Sequence, residues 1–422
     1  MTARALAVSE AGRLPLPGSS LEFSPCETPV SSLSTKEILT MRNRCLSLAF
    51  TRVLMALTLG GFLAGARPIL AAEIVVGQVG PMSGPEAGQG RAYAAGMQLH
   101  FNALNKGGGI NGHQFRLLRK DDGGRPGDTV SLTRQMMAED RPLVLAGYFG
   151  GKNIADLVSA GVLAQEKIAL VGYRTSEIQP DTPYLYSVRA GLRDEIFKLV
   201  EHLATIGIKR LGLFHEAGSN STSVIAAAEE AARKTGVAIE GRGSYVANTV
   251  NVTDAVNTFL NMQPQAIIMV SSGSAAAGFI EKYRIAGGAA QLLALSGADI
   301  EQLSKRLSPE QMQGVAIAQV TPSPYKVSNQ LVKEFTDAAA RIGNLEVPVS
   351  YAMMEGYIAA RVISEAIRRQ GSRPSREGTV LALDGMSNLD LGGYVISFKP
   401  GQHSGSGFVE LSIVTSAGRI RQ

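Results

Sequence analysis

From residue 73 onward, short β-branched runs bounded by glycine alternate with stretches of helical periodicity, and the alternation runs through twice. Nothing else in the chain limits its fold as much. Strands separated by helix-length segments pair in parallel, and a parallel sheet needs helices over both faces. In the first pass, residues 74–79, 115–121, 143–146 and 168–171 read as strands, with helices over 92–106, 128–140 and 154–166 between them. After a strand at 184–188 and Ala190-Gly191 the scheme restarts. Helices at 193–206, 223–234, 252–262 and 275–286 alternate with strands at 211–215, 238–245, 266–270, 292–295 and 315–320. Helical stretches at 331–341 and 351–370 and strand-like runs at 394–398 and 408–415 complete the chain. The two passes echo each other: 142–154 and 264–279 each run from a proline through an apolar strand and a Gly/polar loop into a helix. This weak internal repeat, with the two sets of strands, predicts two α/β lobes.

The first seventy residues do not belong to that pattern. Residues 1–40 are rich in Ser, Pro and small residues without periodicity, and read as a non-native or disordered extension. Met41, Arg42, Arg44 and Arg52 then lead into an uncharged run at 53–66, which is short of the ~20 residues that span a bilayer. A basic start, a short apolar run and small residues beyond it identify 41–72 as a secretory signal peptide. Cleavage after Ala71 or Ala72 is favoured over cleavage after Ala66. Both cysteines, Cys26 and Cys45, precede the folded part, which excludes from it a disulfide scaffold, a thiolate metal site and a cysteine nucleophile. Without 1–72 the charge balance is 34 positive to 32 negative, which points to neither nucleic acid nor a membrane surface as partner.

Motifs of catalysis fail when their context is tested. Residues 107–112 fit G-x-G-x-x-G, but they end a helix and precede a strand, the reverse of a dinucleotide fingerprint, and so read as a turn. Residues 147–152 resemble a phosphate-binding loop, yet Ala146 and Asn153 stand where Gly and Ser/Thr are needed. No G-x-S-x-G occurs, and the five histidines are scattered without metal-ligand spacing and read as surface or capping residues. No catalytic residue, metal or cofactor is expected.

The loops after the strands offer capture instead, since parallel sheets bind ligands at the carboxyl ends of their strands. Residues 80–90 (Gly-Pro-Met-Ser-Gly-Pro-Glu-Ala-Gly-Gln-Gly) follow the first strand, Gly150-Gly151-Lys152-Asn153 the third and Gly172-Tyr173-Arg174-Thr175-Ser176 the fourth. Backbone amides and Ser/Thr/Asn groups at a helix start present donors to an anion, although ordinary turn and N-cap chemistry uses the same residues. Arg174, beyond a strand end, either pairs bidentately with a carboxylate or is a solvated surface arginine. The second pass supplies Asn220, Ser272, Ser274 and Asp299 in equivalent loops; Asp299 is placed either to take an ammonium group or to cap the next helix.

The strand running into Gly80-Pro81-Met82-Ser83-Gly84-Pro85-Glu86-Ala87-x-x-Gly90, then residues 105–112 (Asn-Lys-Gly-Gly-Gly-Ile-Asn-Gly), then Asp121-Asp122, resembles the type I periplasmic solute-binding proteins of ABC transporters, the branched-chain amino-acid-binding group. The resemblance covers residues 73–422. It implies two Rossmann-like lobes with parallel sheets, joined by three hinge crossovers and closing over a small molecule. Lobe 1 would comprise 73–188 plus 321–376, and lobe 2 would comprise 189–320 plus 377–422. Carried over by position, the carboxylate loop falls on Gly150, Gly151, Lys152 and Asn153, and the second carboxylate loop on Tyr173, Arg174 and Thr175. Lobe 2 contacts fall on Asn220 and on Gly273 or Ser274, the ammonium-binding acid on or beside Ser296, and an aromatic of the first loop on Gln89. Glycines and a lysine thus replace a serine run, and a serine replaces the acid, while Tyr148, Tyr173 and Tyr351 are expected as aromatic walls. The expected ligand is an amino acid or a small organic carboxylate, delivered to ABC permease subunits by a monomeric periplasmic receptor. A sensor of the same fold feeding a signalling protein, and an α/β enzyme, are the alternatives; a permease and ATPase encoded alongside would separate transport from sensing.

Overall fold

The computed structural model describes residues 73–176, 181–218, 221–247, 249–415 and 420–421. The expected extension, the signal peptide and Asn220 lie outside the described residues. The first sheet holds β1 (Glu73–Gly80), β2 (Gln114–Asp121), β3 (Val144–Phe149), β4 (Leu170–Arg174) and β5 (Leu185–Tyr186), in the order β2-β1-β3-β4-β5 and parallel throughout. The chain then builds β6 (Arg210–Ala217), β7 (Ala238–Val246), β8 (Ala266–Val270), β9 (Gln291–Ala294) and β10 (Ala316–Gln319). A small hairpin of β11 (Leu389–Asp390) and β12 (Val395–Ile396) precedes β13 (Glu410–Val414) and β14 (Ile420–Arg421). The second sheet runs β14-β13-β10-β9-β8-β6-β7, parallel from β7 to β10 and antiparallel where β13 and β14 close it.

Leaving out β13 and β14, the second sheet repeats the strand order of the first, with β6 in the place of β1 and β8 in that of β3. The sequence echo between 142–154 and 264–279 falls on these equivalent strands. Both are apolar throughout, Val-Leu-Ala-Gly-Tyr-Phe and Ala-Ile-Ile-Met-Val, and both are buried along their whole length, as a strand covered by helices on two faces must be.

One face of the first sheet packs under the Ala87–Lys106, Gln330–Ile342 and Tyr351–Arg368 helices, and the other under the Pro126–Glu139 and Gly151–Ser159 helices. The Ala87–Lys106 and Tyr351–Arg368 helices cross closely at two glycines. A Cβ on Gly96 would stand 1.9 Å from the Met353 carbonyl oxygen, and one on Gly356 would stand 2.0 Å from that of Tyr93.

The structure departs from the sequence reading in several details. The helix expected over 154–166 is two, Gly151–Ser159 and Val162–Gln165, because Gly161 takes a left-handed conformation (φ 69°) that an α-helix does not tolerate. The Arg376–Asp384 helix, capped by the Ser375 side chain, was not expected. The stretch 377–422, expected with the second lobe, divides: Leu383, Met386, Leu391, Tyr394, Ile396 and Phe398 join the core of the first sheet, and only β13 and β14 pair with the second. Where the chain passes between the sheets near 188–191 and 319–322, the Tyr394 hydroxyl lies 2.9 Å from the carbonyl oxygens of both Val188 and Val320.

Candidate functional site

Residues from the carboxyl ends of strands in both sheets enclose a cavity of about 270 Å³. Pro81, Pro85 and Glu86 follow β1, Gly123 to Pro126 follow β2, Phe149 to Asn153 close β3 and Arg174 to Ser176 close β4. From the second sheet come Glu216, Thr249, Val250, Ser271, Ser272, Ser274 and Gly297. A crevice at these strand ends, beside the point where strand order reverses, is where open α/β sheets hold ligands.

After β3 the chain turns at Gly150, whose φ of 100° suits only glycine, and starts the Gly151–Ser159 helix with no side chain capping it. Its first backbone amides therefore sit at the cavity wall with the positive end of the helix dipole. Asn153 turns its amide away to donate to Thr129 Oγ1 at 2.7 Å, and Thr129 in turn donates to Asp122. Lys152 pairs on the surface with Asp156 at 2.8 Å.

The equivalent helix of the second sheet, Gly273–Ile285, is capped. Ser272 accepts from the Ala275 amide, and Glu86 reaches across from the first sheet, its Oε1 taking 2.7 and 3.1 Å bonds from Ser274 Oγ and N. Gln89 donates to the second Glu86 oxygen at 2.9 Å and to the Gly297 carbonyl at 3.3 Å. Burial pushes the Glu86 carboxyl above the ordinary range, against the pull of the Ser274 bonds. Ser176 donates to Glu216 at 2.9 Å, a further contact between the sheets, and Tyr245 donates to the same oxygen at 2.8 Å.

Beneath the cavity lies a buried ionic network. Arg174 is 4% exposed; its Nε donates to Glu355 at 3.1 Å, its Nη1 donates to Gln89 and stands 3.9 Å from Asp299. Arg189 pairs with Glu195 at 2.7 Å and with the same Glu355 oxygen at 3.5 Å, and donates to Ser296 Oγ. Burial works against the Arg189 charge, and Glu355 and Glu195 more than offset it, so its proton is held more firmly than usual. Glu301 accepts from the Tyr351 amide at 2.9 Å and from the Tyr325 hydroxyl; burial first, and Asp299 beside it, push its carboxyl up to about 8.

Gln89, Gly150, Gly151, Asn153, Arg174, Thr175, Ser272 and Ser274 thus meet at one cavity. Arg174 is not a solvated surface arginine: it is buried at the cavity wall, with its Nε and Nη1 given to Glu355 and Gln89. Asp299 caps the Ile300–Arg306 helix through the Gln302 amide at 3.1 Å, and neither it nor Ser296 lines the cavity. The three tyrosines expected as walls are elsewhere. Tyr148 faces the other side of β3 and bonds Thr133 at 3.0 Å, since neighbouring strand residues point to opposite faces; Phe149 is the ring that reaches the cavity. Tyr173 lines a separate cavity with Thr175 and Arg189, and Tyr351 packs in the second-sheet core. His100, His113, His215 and His403 are buried rather than exposed; His100, for example, bonds Ser364 Oγ at 3.0 Å, and burial drives its ring down to about 3. The reading of single loops missed Glu86, Glu216, Phe149, Ser271 and Glu355. Glu86 had a signal in its place within the 80–90 loop, while Glu355 lies mid-helix with none.

Comparison with known proteins agrees with this architecture. The family model described as periplasmic binding protein matches residues 73–411. A solved substrate-binding periplasmic protein of Ralstonia solanacearum is 36% identical with a TM-score of 0.78, over 83% of this chain and 99% of that one. Leu/Ile/Val-binding protein homolog 7 of Brucella melitensis is 24% identical over 337 residues, 75% of this chain and 82% of that one. A 78-residue stretch, 18% of this chain, is 31% identical to an amino acid binding protein of Pseudomonas aeruginosa and spans 21% of it.

Proposed function

The chain belongs to the periplasmic binding protein family, a family of solute-binding receptors, and on that footing we propose that it is the extracytoplasmic receptor of an ABC importer, holding a small organic carboxylate or an amino acid between its two sheets. One observation carries the reading of the ligand. The uncapped start of the Gly151–Ser159 helix opens on a cavity whose other walls include Pro81, Pro85, Phe149 and Val250. Backbone amides and a helix dipole favour an anionic head, and the prolines, ring and valine favour an apolar body. The carboxylates at the cavity, Glu86 and Glu216, already accept from Ser274, Gln89, Ser176 and Tyr245, so an ammonium group would compete with these donors. That weighs toward a carboxylate without an amino group. At about 270 Å³ the space lies just below the range usual for ligand pockets, roughly 300 to 1,000 Å³.

Capture proceeds by closure about the crossings near 188–191 and 319–322, and the ligand shifts the open–closed balance by its differential affinity for the closed form. The receptor, exported by the 41–72 segment and acting as a monomer, then docks on a membrane permease. Thermal-shift screening of the purified protein against amino acids and aliphatic and aromatic carboxylates tests the reading. Stabilisation by a carboxylate, weakened at least tenfold in affinity by Gly150→Ala, is expected; a screen in which no carboxylate or amino acid stabilises the protein overturns it.

A further inference from the structure

The two sheets share one strand order, so the helices that follow β3 and β8 are equivalent, and each begins at the same cavity. At one, Gly151–Ser159, no side chain caps the first turn. At the other, Gly273–Ile285, a carboxylate is already in place: Glu86, from the opposite sheet and 188 residues away, takes both Ser274 donors at 2.7 and 3.1 Å. The cavity thus contains two facing seats for an anion, and the chain fills one of them itself. A second group marks the filled side as a ligand wall: Ser271, 4% exposed at the end of β8, lines the cavity, and its buried Oγ has no hydrogen-bond partner among the described residues.

We propose that Glu86 determines specificity by occupying the second-sheet seat, so that the cavity admits ligands with one carboxylate and turns away those with two. The assignment rests on the carboxylate reading above. A monocarboxylate places its head at the Gly151 amides and its body against Pro81, Pro85, Phe149 and Val250. The far carboxylate of a diacid would be directed to the Ser272–Ser274 turn. There it finds the Ser274 donors already spent on Glu86. Gln89 holds Glu86 in this position through its second oxygen, at 2.9 Å.

The test is isothermal titration of the purified full-length protein with matched pairs, butyrate against succinate and benzoate against terephthalate. In the wild type each monoacid is expected to bind at least tenfold more tightly than its diacid partner. Glu86→Ala, which empties the seat, is expected to move that ratio tenfold or more toward the diacid. Glu86→Gln, which keeps an acceptor oxygen on Ser274, is expected to move it less. Equal affinity for the two members of a pair in the wild type, a measurement that needs no variant, overturns the assignment, as does an unchanged ratio in Glu86→Ala. Either result leaves the carboxylate reading standing, whereas a wild type that binds none of the four acids removes both.

Discussion

Arg174 carries its charge at 4% exposure, with Glu355 at 3.1 Å, Asp299 at 3.9 Å and Gln89 as its partners. Removing one member of a buried ionic network leaves the others uncompensated, so Arg174→Ala is expected to cost about 3–5 kcal/mol in urea denaturation. Lys152→Ala, which breaks only the exposed pair with Asp156, is expected to cost less than about 1 kcal/mol in the same measurement. Glu301 supplies a pH signature. Its folded carboxyl titrates at about 8, above its ordinary 4.5, so the folded protein holds a proton there that the unfolded chain releases. The stability this contributes is complete below pH 4.5 and is lost as pH rises through 8. Between pH 5 and 8 the Tm of the wild type is therefore expected to fall relative to that of Glu301→Gln, by a few degrees on the order-of-magnitude scale for a chain of this size. Parallel curves for the two proteins would contradict the assignment. Residue by residue, the sequence was legible where chemistry is local: the Gly150 turn and the Asp299 cap follow from their own neighbours. It was opaque where a partner is distant. Nothing near Arg174 announces a glutamate 181 residues on, and nothing near Glu86 announces a serine 188 residues on.

Among elements, the Ala87–Lys106 and Tyr351–Arg368 helices show how packing overrides propensity. In an exposed helix, alanine in place of glycine stabilises by about 1 kcal/mol. At this crossing each added methyl meets a carbonyl oxygen of the other helix at 1.9 or 2.0 Å, a distance no contact tolerates. Gly96→Ala and Gly356→Ala are therefore expected to destabilise by about 2–4 kcal/mol in thermal or chemical unfolding. A stabilised Gly96→Ala protein would show that the crossing is looser than described. Strands and helices were otherwise readable from periodicity, because fully buried parallel strands are short apolar runs between glycines. The errors fell where a single backbone angle decides, as at Gly161, or where a helix is short and half exposed, as at Arg376–Asp384.

In the whole molecule, the polar contacts between the two halves include Glu86 with Ser274, Gln89 with the Gly297 carbonyl, Ser176 with Glu216, Arg174 with Asp299, and Glu301 with the Tyr351 amide. Cutting two of them in a Glu86→Ala, Ser176→Ala double variant is expected to raise the radius of gyration in X-ray scattering while leaving the far-ultraviolet circular dichroism unchanged. An unaltered scattering profile would mean that other contacts hold the halves together. The doubling of the α/β unit was legible in the sequence as an echo between 142–154 and 264–279, since equivalent strands need the same apolar run and the same tight exit. The path of residues 377–415 was not, because a chain that passes between two similar cores carries no local mark of which core will take it.

Tyr394 sits where two passages of the backbone meet, its hydroxyl oxygen equidistant, at 2.9 Å, from the carbonyls of Val188 and Val320. A hydroxyl has one proton to give, so it serves one carbonyl at a time. In the closure proposed above, the phenol could turn that hydrogen bond from one backbone passage to the other without passing through a position where it has no acceptor. Such a joint would turn on an exchange of like for like, and a phenylalanine in its place would leave both carbonyls without this donor.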